Sequence, residues 1–115
     1  MNVNQAPELT QGQARILQKL LKAGFQFAAI EHVARHIVME KDGFIALLDP
    51  ADGQLHVFGQ MGYRVGDGIG MLIEQGARRA FVWKKESVEA TPELLSAYRR
   101  VKNELEQILN TKSEV

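Results

Sequence analysis

His32, His36 and Glu40 stand four residues apart, and all three side chains can ligate a metal or move a proton. On a helix, positions i, i+4 and i+8 share one side, so this spacing predicts a chelating face. The residues between the histidines are Val33, Ala34 and Arg35, so the glutamate of the metalloprotease helix is missing. Ile30, Val33, Ala34, Ile37 and Val38 form an apolar stripe on the opposite side, which turns the histidines towards solvent. A metal there would be peripheral and would need His56 or Glu31 to complete its shell. The plainer expectation is a solvated polar face, with no cofactor.

Glycine gives the second cluster. Five of the ten glycines fall at 59, 62, 66, 68 and 70. Backbone amides of Gly66, Asp67, Gly68, Ile69 and Gly70, ahead of a helix, could cradle an anion. The dinucleotide spacing G-x-G-x-x-G then needs glycine at 71, where Met71 stands. No phosphate-loop lysine follows, and Asp67 would repel an anion. The segment therefore reads as turns and bulges. A ligand there would be neutral or weakly polar, lying against Phe58, Met61, Tyr63 and Met71 beside Gly66, Asp67, Gly68 and Gly70.

Basic Arg78, Arg79, Lys84 and Lys85 flank Phe81, Val82 and Trp83, a pattern that can stack single-stranded nucleic acid. With 14 basic against 14 acidic residues, an edge strand guarded by lysines is the better reading, and nucleic acid is not expected. Catalytic residues are scarce. Ser87, Ser96 and Ser113 lack the context of a nucleophile, no carboxylate pair stands out, and cysteine is absent. The expectation is a protein without enzymatic activity.

These groups must be held by a fold. At 115 residues, 45% hydrophobic and 24% charged, the chain is long enough for one cored domain. Residues 1–8 read as a flexible lead, 9–110 as the domain and 111–115 as a frayed end. Thr10 can cap a first helix whose Ile16, Leu17, Leu20 and Leu21 recur at helical spacing, with Gly24 as its stop. A second helix is predicted over 27–40, broken by Lys41, Asp42 and Gly43. Phe44 to Leu48 is an apolar run of strand length. Asp49, Pro50, Ala51, Asp52 and Gly53 then form a turn signal, and Leu55 to Phe58 completes a hairpin. Residues 71–76 lean to a short helix, with a strand as the alternative, and 80–85 reads as an edge strand.

Thr91, Pro92 and Glu93 open a long last helix. Its stripe of Leu94, Leu95, Tyr98, Val101, Leu105 and Ile108 is wide enough to cover a sheet and still offer an edge to a second subunit. The expected class is α+β: two N-terminal helices, a small antiparallel sheet built on the 44–58 hairpin, and the long helix packed on it.

Two stretches resemble known families. The hairpin with its Asp-Gly turn, then Gly62 with Tyr63 and Gly66 to Ile69, resembles the start of GAF-type sensory domains over about 25 residues of common turn chemistry. After Gly70 little chain remains for the further strands of such a domain, and no binding residue is carried over. Leu9 to Leu17 resembles the opening of a winged-helix domain, which would make 44–58 the wing. That fold implies a basic recognition helix, whereas the predicted helix exposes His32, Arg35, His36 and Glu40.

The leading expectation is a small interaction or regulatory module, homodimeric or with a protein partner. A small-molecule sensor with its pocket at 58–70 and a DNA-binding regulator are the alternatives. The first seven residues lack the basic start and apolar core of a signal peptide, and no apolar run approaches a membrane span. A cytoplasmic location is expected.

Overall fold

In the computed structural model, which describes residues 9–30, 33 and 36–110, helix α1 runs over Gln11–Lys22. Thr10 closes its first turn as a capping box: its hydroxyl accepts from the Gln13 amide, and the Gln13 side chain accepts from the Thr10 amide. Gln13 is itself buried, and its Nε2 donates to the carbonyl of Gln54 at 2.9 Å. One glutamine thus both starts the helix and ties it to the sheet. Gly24, with φ of 101°, turns the chain out of the helix.

Eight strands follow. These are β1 (Gln26–Phe27), β2 (Ile37–Lys41), β3 (Phe44–Ala51), β4 (Gln54–Val57), β5 (Gly62–Val65), β6 (Gly68–Gln75), β7 (Arg78–Trp83) and β8 (Glu86–Glu89). They form one curled antiparallel sheet in the order β1-β2-β3-β5-β6-β7-β8, with β4 sharing the edge of β3 that β5 takes further along. Helix α2 (Pro92–Leu109) closes the chain behind the Thr91 cap, as its sequence predicts.

The α+β class holds, but the sheet is larger than expected and there is one N-terminal helix. The helix predicted over 27–40 does not form among its described residues: 26–27 and 37–41 are strands. Residues 37–41 satisfy two periods at once. Ile37 and Met39 face the helices while Val38 and Glu40 face away, so burial on both sides mimics a helical stripe. What decides is the turn. Asp42 and Gly43 both take positive φ, 55° and 89°, the type I′ geometry that folds β2 straight back on β3. The expected break is a hairpin.

Residues 71–76 lie in β6, not a helix, because Gly66 (φ 57°) and Gly76 (φ 62°) set two-residue turns at both ends of it. The 44–58 hairpin is present with a tighter turn: Asp49, Pro50 and Ala51 pair in the strands, leaving Asp52 and Gly53 at the bend. The strand read at 80–85 ends at Trp83; Lys84 and Lys85 make the next bend, and the sheet edge passes to β8.

Both helices pack on one face, here the inner face. Ile16, Leu17 and Leu20 of α1 and Leu95, Tyr98, Val101 and Leu105 of α2 meet Met39, Phe44, Leu48, Leu55 and Phe81 from the sheet. On the outer face a smaller cluster joins Ile30, Val38 and Ile45, with Ala28, Val33, Leu47 and Ile69 against it. Both sides of β3 are therefore buried, which is why its apolar run is continuous.

Candidate functional site

The glycine-rich segment is a hairpin built to admit aromatic rings. At Gly68 a Cβ would run into the Trp83 indole, so the bare backbone is the seat of that ring. Beside it Phe44, Tyr63, Phe81 and Tyr98 form a mutual ring cluster with centroids 5.0 to 6.4 Å apart. Gly66 and Asp67 are the exposed bend, Gly70 packs under Val65 and Phe81, and Met71 lies on the outer face. The residues expected to surround a ligand are thus dispersed over both faces, and Met61 borders a cavity.

That cavity is a groove of about 200 Å³ between the irregular 58–61 crossing and α2. Val57, Met61 and Leu105 make its floor, Gly59 and Gln60 one wall, and Lys102 and Glu106 the opposite rim. Met61 is fixed because its carbonyl accepts from the Tyr98 hydroxyl at 3.0 Å inside the core. Burial, and then the nearby Glu106 carboxylate, raise the Tyr98 pKa, so the phenol stays a donor. By spacing alone Lys102 and Glu106 are an ordinary solvated i, i+4 pair; only tertiary contact turns that face towards Gln60.

Of the predicted chelating set, His32 lies outside the described residues. His36 and Glu40 share no helix, and each is engaged elsewhere. His36 Nδ1 lies 2.8 Å from Asp49 Oδ1, and its ring stacks on Phe58 at 4.5 Å. A carboxylate only accepts, so Nδ1 carries the hydrogen. Glu40 accepts two bonds from Arg64, at 3.0 and 2.6 Å. This forked contact holds the Glu40 carboxyl below its ordinary pKa and raises that of Arg64. Among the described residues no group of three or more His, Cys, Asp or Glu side chains is placed to hold a metal.

The basic aromatic segment is likewise changed by context. Phe81 is fully buried, so no base can stack on it, and Lys84 Nζ sits 5.2 Å above the Trp83 ring. Arg79 pairs with Glu74 at 3.3 Å. Where the winged-helix likeness implies a recognition helix, 37–41 is a strand. The stripe on α2 serves the protein's own core: Leu95, Tyr98, Val101 and Leu105 are buried there, and Leu94 and Ile108 are half-buried against it. No helix among the described residues is long and apolar enough to cross a membrane.

One surface stands apart. On the outer face, Ile69, Met71 and Ile73 of β6 line up beside Val82 and Ala80 of β7. Met71 is 37% and Ile73 40% exposed. The alternation of Ile69, Met71 and Ile73 was the available signal, masked by the good helix propensity of Met71, Leu72, Glu74 and Gln75 in the same window. Arg78 and Glu89 stand on the same face at its margins.

Fold and surface together define a curled antiparallel sheet with two helices on its inner face and, among the described residues, an exposed apolar strip on its outer face. No family model matches the chain, no curated protein matches it in sequence, and no solved structure matches it.

Proposed function

We propose that the protein is a non-enzymatic interaction module that pairs with a second copy of itself through the outer face of β6 and β7. The observation that carries this is an asymmetry within one sheet face. Over β2 and β3 the outer face is covered by the chain's own Ala28, Ile30 and Val33. Beyond Ile69, which packs against that cover, the same face over β6 and β7 presents Met71 and Ile73 beside Ala80 and Val82, with no cover among the described residues. Exposed apolar rows with polar margins mark association surfaces.

A second copy suits the margins. Arg78 and Glu89 put both signs on the same face, so a two-fold contact can match each with its opposite. A chain with equal numbers of acidic and basic residues also lacks the single-signed field that would oppose its own copy. The half-buried charges are already used within the chain, with Lys41 paired to Glu104 and Arg64 to Glu40. These pairs hold elements together, consistent with a scaffold more than a catalyst.

Sedimentation velocity over a concentration series tests the pairing. A dimer is expected for the natural chain and a monomer for Ile73→Glu with an unchanged circular dichroism spectrum. A natural chain that stays monomeric at high micromolar concentration overturns the reading.

A further inference from the structure

We propose that the groove between the 58–61 crossing and α2 binds a small zwitterion with an apolar side chain, of the class of a free α-amino acid. This goes beyond the pairing surface and rests on different residues. The size of the groove sets the first limit. About 200 Å³ is below the roughly 300–1,000 Å³ of sites that take drug-sized ligands, so a nucleotide or sugar nucleotide is too large.

The lining sets the chemistry. Val57, Met61 and Leu105 offer an apolar floor, and the Tyr98 bond keeps the Met61 backbone from shifting. Above it, Lys102 and Glu106 stand one helical turn apart on the same side of α2. They carry opposite charges, and neither makes an ion pair among the described residues. An ammonium and a carboxylate beside an apolar floor match a ligand that carries the complementary pair on one carbon. The ligand's carboxylate meets Lys102, its ammonium meets Glu106, and its side chain lies over Met61. The wall opposite is bare: a Cβ at Gly59 would meet nothing within 4 Å, which leaves the ligand a way in.

The test is an amide-shift titration of the full chain by heteronuclear NMR. The probes are L-leucine, isoamylamine (no carboxylate), 4-methylpentanoate (no ammonium) and glycine (no apolar body). L-Leucine is expected to give saturable shifts at Gly59, Gln60, Met61, Lys102 and Glu106. Each truncated probe should bind at least about tenfold more weakly, the scale of one lost charge-assisted bond or, for glycine, of the lost burial of the isobutyl group. Lys102→Gln should remove the preference for a carboxylate, and Glu106→Gln the preference for an ammonium, with unchanged melting temperatures showing both variants folded. No saturable shift with any probe overturns the site. Equal binding of all four, or variants that leave the preferences intact, overturns the zwitterion assignment.

Discussion

The hydroxyl of Tyr98 in α2 donates to the backbone carbonyl of Met61 at 3.0 Å, with the tyrosine 7% exposed. The bond crosses from the helix to the one irregular stretch in the middle of the meander, where β4 ends and β5 begins. A carbonyl there has no strand partner to accept from, so the phenol supplies the missing donor. Tyr98→Phe keeps the ring cluster but leaves that carbonyl unpaired. It should cost about 1–3 kcal/mol in chemical denaturation. The pH dependence gives an independent check. Burial raises the native Tyr98 pKa above its ordinary 10.0, so above that pH the unfolded chain loses its proton first. The contribution is full below pH 10.0 and is lost as pH rises through the native value. The natural chain should therefore lose stability in alkali more steeply than Tyr98→Phe.

Gly68 and Trp83 form a second coupled pair. A methyl at 68 has to displace the indole, an overpacking of the kind that costs about 1–3 kcal/mol. Truncating the ring removes the obstacle, so Gly68→Ala should cost much less in a Trp83→Ala background. A double-mutant cycle by urea melts should return a coupling of about 1 kcal/mol or more. Additive losses would mean that Gly68 answers to something other than the indole.

These pairs also show what the sequence carried and what it did not. Thr10, Gly24, Thr91 and Pro92 act locally, through a cap or a turn, and the elements they bound appear as read. The Asp52–Gly53 bend of the hairpin was legible for the same reason. Residues 37–41 and 71–76 were misread because their environment is set by distant chain. Val38 looks like one side of a helix only until Ile30 and Ile45 are seen to bury it on the outer face. Met71 has good helix propensity, and pairing with Val82 overrides it. For the candidate sites the gap is wider. Lys102 and Glu106 look like any solvated i, i+4 pair until the 58–61 crossing is laid beside them.

Glu40 and Arg64 lead to an acid-side prediction. Hydrogen bonding by Arg64 lowers the native Glu40 pKa below 4.5, so the unfolded chain binds that proton first as pH falls. The stabilisation is present above pH 4.5 and is lost as pH drops through the native value. The two side chains are 23% and 38% exposed, so solvent screening keeps the effect near the upper end of surface pairs, about 1 kcal/mol. Glu40→Gln should lower stability by that amount at neutral pH and by progressively less as pH falls below 4.5. An equal loss at neutral and acid pH would place the effect in packing and not in charge.

Lys41 concentrates more of the tertiary structure than any other charged residue described. It sits on β2, yet its Nζ donates to the Ala23 carbonyl at the end of α1 and to Glu104 of α2, both at 2.6 Å. The same ammonium lies 5.5 Å above the Phe25 ring. A cation at a helix C-terminus meets the negative end of the dipole, so three favourable contacts share one charge. Lys41→Met keeps the aliphatic stem over Phe25 and removes all three. Glu104 is 36% exposed and can return to water, whereas the Ala23 carbonyl loses its side-chain donor. The expected loss is about 1–2 kcal/mol, most of it from that carbonyl. Glu104→Gln leaves the carbonyl and the ring contact in place and should cost less than half as much. If hydrogen exchange of the last turn of α1 speeds up in Lys41→Met and not in Glu104→Gln, the lysine is the latch between that helix and the sheet. Equal acceleration in both would assign the effect to the ion pair instead.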